Sequence, residues 1–249
     1  MDRKTLIPKM MWLPLIVTLA ANTLAYNVSR IFTAGRVHAN LSNPLDARIP
    51  FVPWTLCVYF GCYLFWIANY VIACRQKRER AFRFLSADLF AKLVCLVCFL
   101  AFPTTNTRPA ITGEGFWQEG MRFLYRVDAA DNLFPSIHCL TSMFCYLAVR
   151  KNERVPRWYR ALSFLLMAGI CVSTLTTKQH VLIDVAAGVA LAVGSFIFVE
   201  KSGFAAWYAR SAEKIYAGLA GRMPSDEMPV RENGRAKHEE GREPLSAKR

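Results

Sequence analysis

The chain has 249 residues, 54% of them hydrophobic, and a mean hydropathy of +0.22, which excludes an ordinary water-soluble domain. Its net charge of +13 invites a nucleic-acid partner, but the basic residues fall in short loops between apolar runs. That distribution is a topology signal and argues against nucleic acid.

A spanning helix needs about 20 mostly apolar residues, and six windows approach this: 11–28, 52–74, 84–102, 134–149, 161–177 and 181–199. The first follows Arg3, Lys4 and Lys9; its apolar core is longer than a signal peptide's, so it is expected to be a span. The third is apolar except for Asp88 and Lys92, four apart and able to pair on one helix face. Arg75, Lys77, Arg78, Arg80 and Arg83 fill the loop before it, and Arg150, Lys151, Arg154, Arg157 and Arg160 fill the fourth loop. Short basic loops face the cytoplasm. The expected architecture is therefore an all-α polytopic membrane bundle of six transmembrane helices with both termini cytoplasmic. Loops one, three and five are then outside.

The third loop, 104–133, holds Phe116, Trp117, Met121, Phe123, Leu124 and Tyr125, enough apolar surface for a short helix that either roofs a site or simply lies on the membrane. The membrane domain is expected over 1–201. Apolar residues at helical spacing predict an amphipathic interfacial helix over 202–222. The charged, Pro/Gly-punctuated stretch 223–249 is expected to be a disordered cytoplasmic tail. All eight cysteines lie within apolar runs, where Cys behaves as a small hydrophobe. Cys95 and Cys98 form a C-x-x-C in mid-span with no second pair nearby, so neither a metal nor a redox site is expected.

Three segments distant in sequence reach the outer face together. Span three ends before Thr107-Arg108-Pro109, span four starts at Pro135-Ser136-Ile137-His138, and span six starts at Lys178-Gln179-His180. Ionisable groups at a bilayer edge are costly and point to function. His180 and Asp184 share a helix face. The carboxylate can take one imidazole N–H, fix the tautomer and leave the other nitrogen free to attack. The duller reading is that the pair only satisfies itself, yet burying such a pair seldom gains stability. His138, on another span, suits the general acid. Phosphate-binding candidates are the Arg108 fork, the Ser136 hydroxyl, the first-turn backbone N–H groups beginning at Ile137, and Lys178. For Arg108 and Lys178 the alternative is interfacial snorkelling.

The pattern Arg108-Pro109, Pro135-Ser136-x-His138 and Ser173-x6-His180-x3-Asp184 resembles the type 2 phosphatidic acid phosphatase and vanadium haloperoxidase superfamily. The resemblance implies phosphate binding at Arg108 and Ser136, His138 as acid, His180 as nucleophile and Asp184 as its partner. It also implies a phosphohistidine intermediate, no metal or other cofactor, and an active site on the extracytoplasmic face of the cell membrane. The family's first-motif lysine falls at Ala101, its third-motif arginine at Thr174 and its second-motif glycine at Ile137. The wording of the second and third motifs is similar to the inositol phosphorylceramide synthase-like branch. Three functions follow as expectations: a lipid phosphate phosphatase; a lipid phosphotransferase that moves a phospho-headgroup to an alcohol; and a transporter or scaffold with a degenerate site. The intact His138, His180 and Asp184 count against the last, and the membrane spans count against a haloperoxidase.

Overall fold

The computed structural model describes residues 5–220. Among these, the apolar windows fold as α1 (Lys9–Thr33), α3 (Leu56–Cys74), α4 (Arg78–Ala101), α6 (Ile137–Arg150), α7 (Arg157–Thr176) and α8 (Leu182–Lys201). Connecting them are α2 (Pro44–Arg48) and α5 (Phe116–Val127), and α9 (Phe204–Ala220) closes the bundle. Two short strands, β1 (Ala39–Asn40) and β2 (Thr104–Thr105), pair in parallel with Ala39 opposite Thr104. Among the described residues five helices are long and apolar enough to cross a membrane: α1, α4, α7, α8 and the stretch Pro53–Cys74 that contains α3. α6 is shorter. Its 14 residues extend roughly 21 Å at about 1.5 Å per residue, because the helix starts only after Ser136.

α4 is the axis of the bundle and packs against α1, α3, α6, α8 and α9. Its two interior charges pair as their spacing predicts, with Lys92 Nζ 3.0 Å from Asp88 Oδ2. The Tyr70 hydroxyl of α3 also donates to Asp88. A charge in the middle of a spanning helix is tolerated only with such partners. The outer surface is the reverse: Leu64, Ile67, Val97 and Leu165 are 76%, 63%, 64% and 65% exposed. An apolar belt of this kind suits hydrocarbon, not water, and the chain is a membrane protein.

The two basic loops lie together, since Gln76 Nε2 of the first donates to the Ala148 carbonyl beside the second (2.8 Å). That end of α6 is opposite the one bearing Ser136 and His138. α9 docks near the basic end. Tyr208, Ala209 and Ala212 turn into the core, Trp207 and Ile215 stay exposed, and Arg78 of α4 pairs with Glu213. At the other end α5 forms the helix expected in the third loop and buries Met121 and Leu124 against Leu56 and Tyr59 of the α3 region. The charged stretch 223–249 lies outside the described residues.

Candidate active site

α6 begins where Ser136 caps it: the Ser136 Oγ accepts from the Cys139 N–H at 3.3 Å. Its own N–H donates to the Asp184 carbonyl at 3.1 Å, tying the start of α6 to the first turn of α8. This approach needs Gly188, because a Cβ there would come within 2.4 Å of the Ser136 carbonyl oxygen. His138, in the first turn of α6, lies between two rings of α3, its centroid 4.6 Å from Tyr59 and 5.5 Å from Trp66. The Trp66 indole N–H donates to Ser142 Oγ at 2.9 Å, which fixes that ring.

His180 sits in the tight turn between α7 and α8. The Gln179 and His180 N–H groups both donate to the Thr174 carbonyl, at 2.9 and 3.1 Å. Lys178 has φ +56°, in the left-handed region, which costs a residue with a Cβ of order 1 kcal/mol or more. Asp184 occupies the first turn of α8 and is fully buried. Its Oδ2 accepts from the Val181 N–H at 3.0 Å and lies 3.4 Å from His180 Nδ1. Nδ1 is thereby committed to the carboxylate, and Nε2 is left for chemistry. Burial opposes the imidazolium, but the hydrogen bond to Asp184 and its charge outweigh burial and raise the His180 pKa above its ordinary value.

The two imidazoles meet across one cavity of about 430 Å³, with ring centroids 5.9 Å apart. Tyr59, Phe60, Tyr63 and Trp66 form an aromatic wall; Asn22, Thr23, Asn27, Asp131 and Asn132 form a polar one. Between them Asp128, at the end of α5, accepts from the Tyr26 hydroxyl at 2.8 Å and the Tyr59 hydroxyl at 2.7 Å. Burial works against that carboxylate's charge. The neighbouring His138, the two hydroxyls and His180 overcome burial and hold the Asp128 pKa below the usual carboxylate range. Asp131 pairs with Arg30 of α1 at 3.0 Å.

The residues singled out in the sequence thus divide. His138, His180 and Ile137 line the cavity, and Asp184 backs His180. Ser136 is buried and serves as the α6 cap. Arg108 stands behind the wall. It donates to the Asp128 carbonyl at 2.6 Å and to Gln179 Oε1, and its guanidinium lies 4.7 Å over the Tyr125 ring. The expectation that Lys178 reaches the site is corrected: its ammonium turns away and donates to the carbonyls of Asp46 (2.9 Å) and Ile49 (2.6 Å). The left-handed backbone at Lys178 redirects the side chain. Asp128, Tyr26, Tyr59 and Gln179 are the site residues that pattern reading missed. Among the described residues no three His, Cys, Asp or Glu side chains come together as a metal site.

The sequence profile of the PAP2 superfamily matches residues 35–198, from just past α1 almost to the end of α8. No curated protein matches the chain.

Proposed function

The chain belongs to the PAP2 superfamily, whose members are phosphatases and related phosphoryl-transfer enzymes, and from that premise we propose that it is an integral membrane lipid phosphate phosphatase. The substrate is a phosphomonoester or diphosphate of a lipid, and the reaction runs through a phosphohistidine without a metal. One observation carries this reading: His180, backed by Asp184 at 3.4 Å, faces His138 across a single cavity.

His180 Nε2 attacks phosphorus, forming a P–N bond as the P–O bond to the lipid breaks. His138 gives its proton to the departing oxygen. Asp184 holds the Nδ1 proton and stabilises the charge that develops on the ring. Water then attacks phosphorus, His138 takes its proton, and the P–N electron pair returns to His180 as orthophosphate leaves. The Ile137 and His138 N–H groups, left without intrahelical partners by helix geometry, sit at the positive end of α6 and suit the phosphoryl oxygens. Arg108 and Ser136 support that cradle.

The basic end, which also holds Thr5 against Arg75 (2.7 Å), is read as cytoplasmic by the positive-inside rule. The bundle then has six spans with α6 the shortest, α9 at the inner interface, and the catalytic cavity extracytoplasmic.

A second reading has one observation in its favour. The cavity continues past the histidines along Asn22, Thr23 and Asn27 of α1, side chains that would hydrogen-bond a hydroxylated acceptor. The first step would then break a lipid phosphodiester and leave its phospho-headgroup on His180, an alcohol would replace water in the second step, and the product would be a new phosphodiester.

The deciding experiment measures phosphate release from a panel of lipid phosphates by purified protein in EDTA, beside His180→Ala. Release that survives the chelator and vanishes in the variant supports the phosphatase. Turnover that requires an added alcohol supports the transferase, and release that persists in the variant rejects His180 as nucleophile.

A further inference from the structure

The cavity presents a charge problem. Among the described residues, those that line it include two carboxylates, Asp128 and Asp131, and no lysine or arginine. Lys178 is engaged elsewhere, and Arg108, which does not line the cavity, is held by Asp128, Gln179 and Tyr125, with its Nε alone left without a partner. An anion seated between the imidazoles therefore needs another side-chain donor.

Gln179 fits that need. It is 1% exposed, lines the cavity and precedes His180 directly. Its Oε1 accepts from Arg108, and its Nε2 has no protein partner. Chemistry fixes which end is which. A guanidinium offers only donors, so the amide oxygen must face it and the two amide N–H groups must face away. A buried amide nitrogen is rarely left without an acceptor, and a phosphoryl oxygen is an acceptor of the right charge. The Arg108 cation pulling on the amide oxygen strengthens the N–H groups as donors.

We propose that Gln179 is the side-chain donor to the transferred phosphoryl group, and that Arg108 is a positioning residue acting through it. This rests on the phosphoryl-transfer reading above and gives that site its missing anion contact. It also accounts for how the cavity works with Ala101 and Thr174 at positions where the resembling family carries cations.

The test uses orthovanadate, a five-coordinate mimic of phosphoryl transfer, titrated calorimetrically into the full chain in detergent, so no lipid need be known. Wild type binds. Gln179→Leu binds at least tenfold more weakly. Gln179→Glu keeps an ion-pair partner for Arg108, and so keeps the fold and thermal midpoint, yet binds at least a hundredfold more weakly. Arg108→Leu weakens binding, and the double variant with Gln179→Leu is no weaker than Gln179→Leu alone, because the two act in series. Tight binding by both Gln179 variants, with loss confined to Arg108→Leu, overturns the proposal and makes Arg108 the direct contact. A wild type that fails to bind orthovanadate overturns the phosphoryl-transfer reading itself, and the proposal with it.

Discussion

His138 and His180 come from two different helix starts with their rings 5.9 Å apart, and the Ser136 N–H of one start is tied to the Asp184 carbonyl of the other. Their roles separate by leaving group. His138→Ala is expected to lose about 10²–10⁴-fold in turnover of alkyl phosphates, and far less with a nitrophenyl phosphate, whose leaving oxygen needs no proton. His180→Ala loses both activities. Equal losses of His138→Ala on the two substrates would remove it as the acid.

The pH dependence of stability and of rate should disagree. The His180 pKa is raised in the fold, so its contribution to stability is complete below about 6.5 and is lost as pH rises through the folded value. The Asp128 pKa is lowered, so its contribution is complete above about 3.8 and is lost as pH falls through the folded value. Both contributions are complete between these limits. Attack needs a neutral imidazole, so the acid limb of kcat/KM should lie above pH 6.5, on the alkaline side of that window. Asp184→Asn should move the limb to lower pH, and Asp128→Asn should remove its share of the acid-side fall in thermal midpoint. Rate profiles over pH 4–9 and melting curves extended to about pH 2 check this.

Gly188 offers a test of geometry against chemistry. Gly188→Ala must displace the Ser136 backbone, since its Cβ would meet the carbonyl at 2.4 Å. Overpacking of this kind costs about 1–3 kcal/mol, and a shift near 1 Å between the histidines is worth about a hundredfold in rate. Gly194→Ala, on the same helix with open space around it, should leave both activity and thermal midpoint unchanged. Parallel melts and kinetics of the two variants decide it.

Lys178→Met should lower the thermal midpoint by about 2–4 °C, as expected for roughly 1 kcal/mol in a domain of this size. The ammonium clamps the α2 region to the α7–α8 turn through two carbonyls. KM should stay within about twofold. A tenfold rise in KM at constant midpoint would return Lys178 to the phosphate.

The spans were legible because hydrocarbon demands long apolar runs, and the His180–Asp184 contact because four residues bring two side chains within reach, although His180 lies in the turn before α8 and not on its face. Asp88 and Lys92 were legible for the same local reason. Asp128 was not. It reads as one more acid in a mixed-charge loop, and its partners Tyr26 and Tyr59 are 102 and 69 residues away inside apolar runs. Nothing local in those runs separates a tyrosine that faces lipid from one that holds a carboxylate. The direction of the Lys178 side chain was not legible, because nothing in the sequence marks its left-handed backbone. Gln179 was passed over because its value depends on which way an amide turns, and only Arg108 settles that.

α1 gives the cavity Asn22, Thr23, Tyr26 and Asn27, yet it ends at Thr33, before the stretch shared with the family begins at residue 35. The two imidazoles and the α1 part of the polar wall are thus encoded in separate segments. On the proposed reading, substrate preference can drift through changes in the first helix while the reaction stays intact, so long as Tyr26 keeps its hold on Asp128. Exchanging that helix between members of the superfamily is then a route to retargeting the enzyme without redesigning its chemistry.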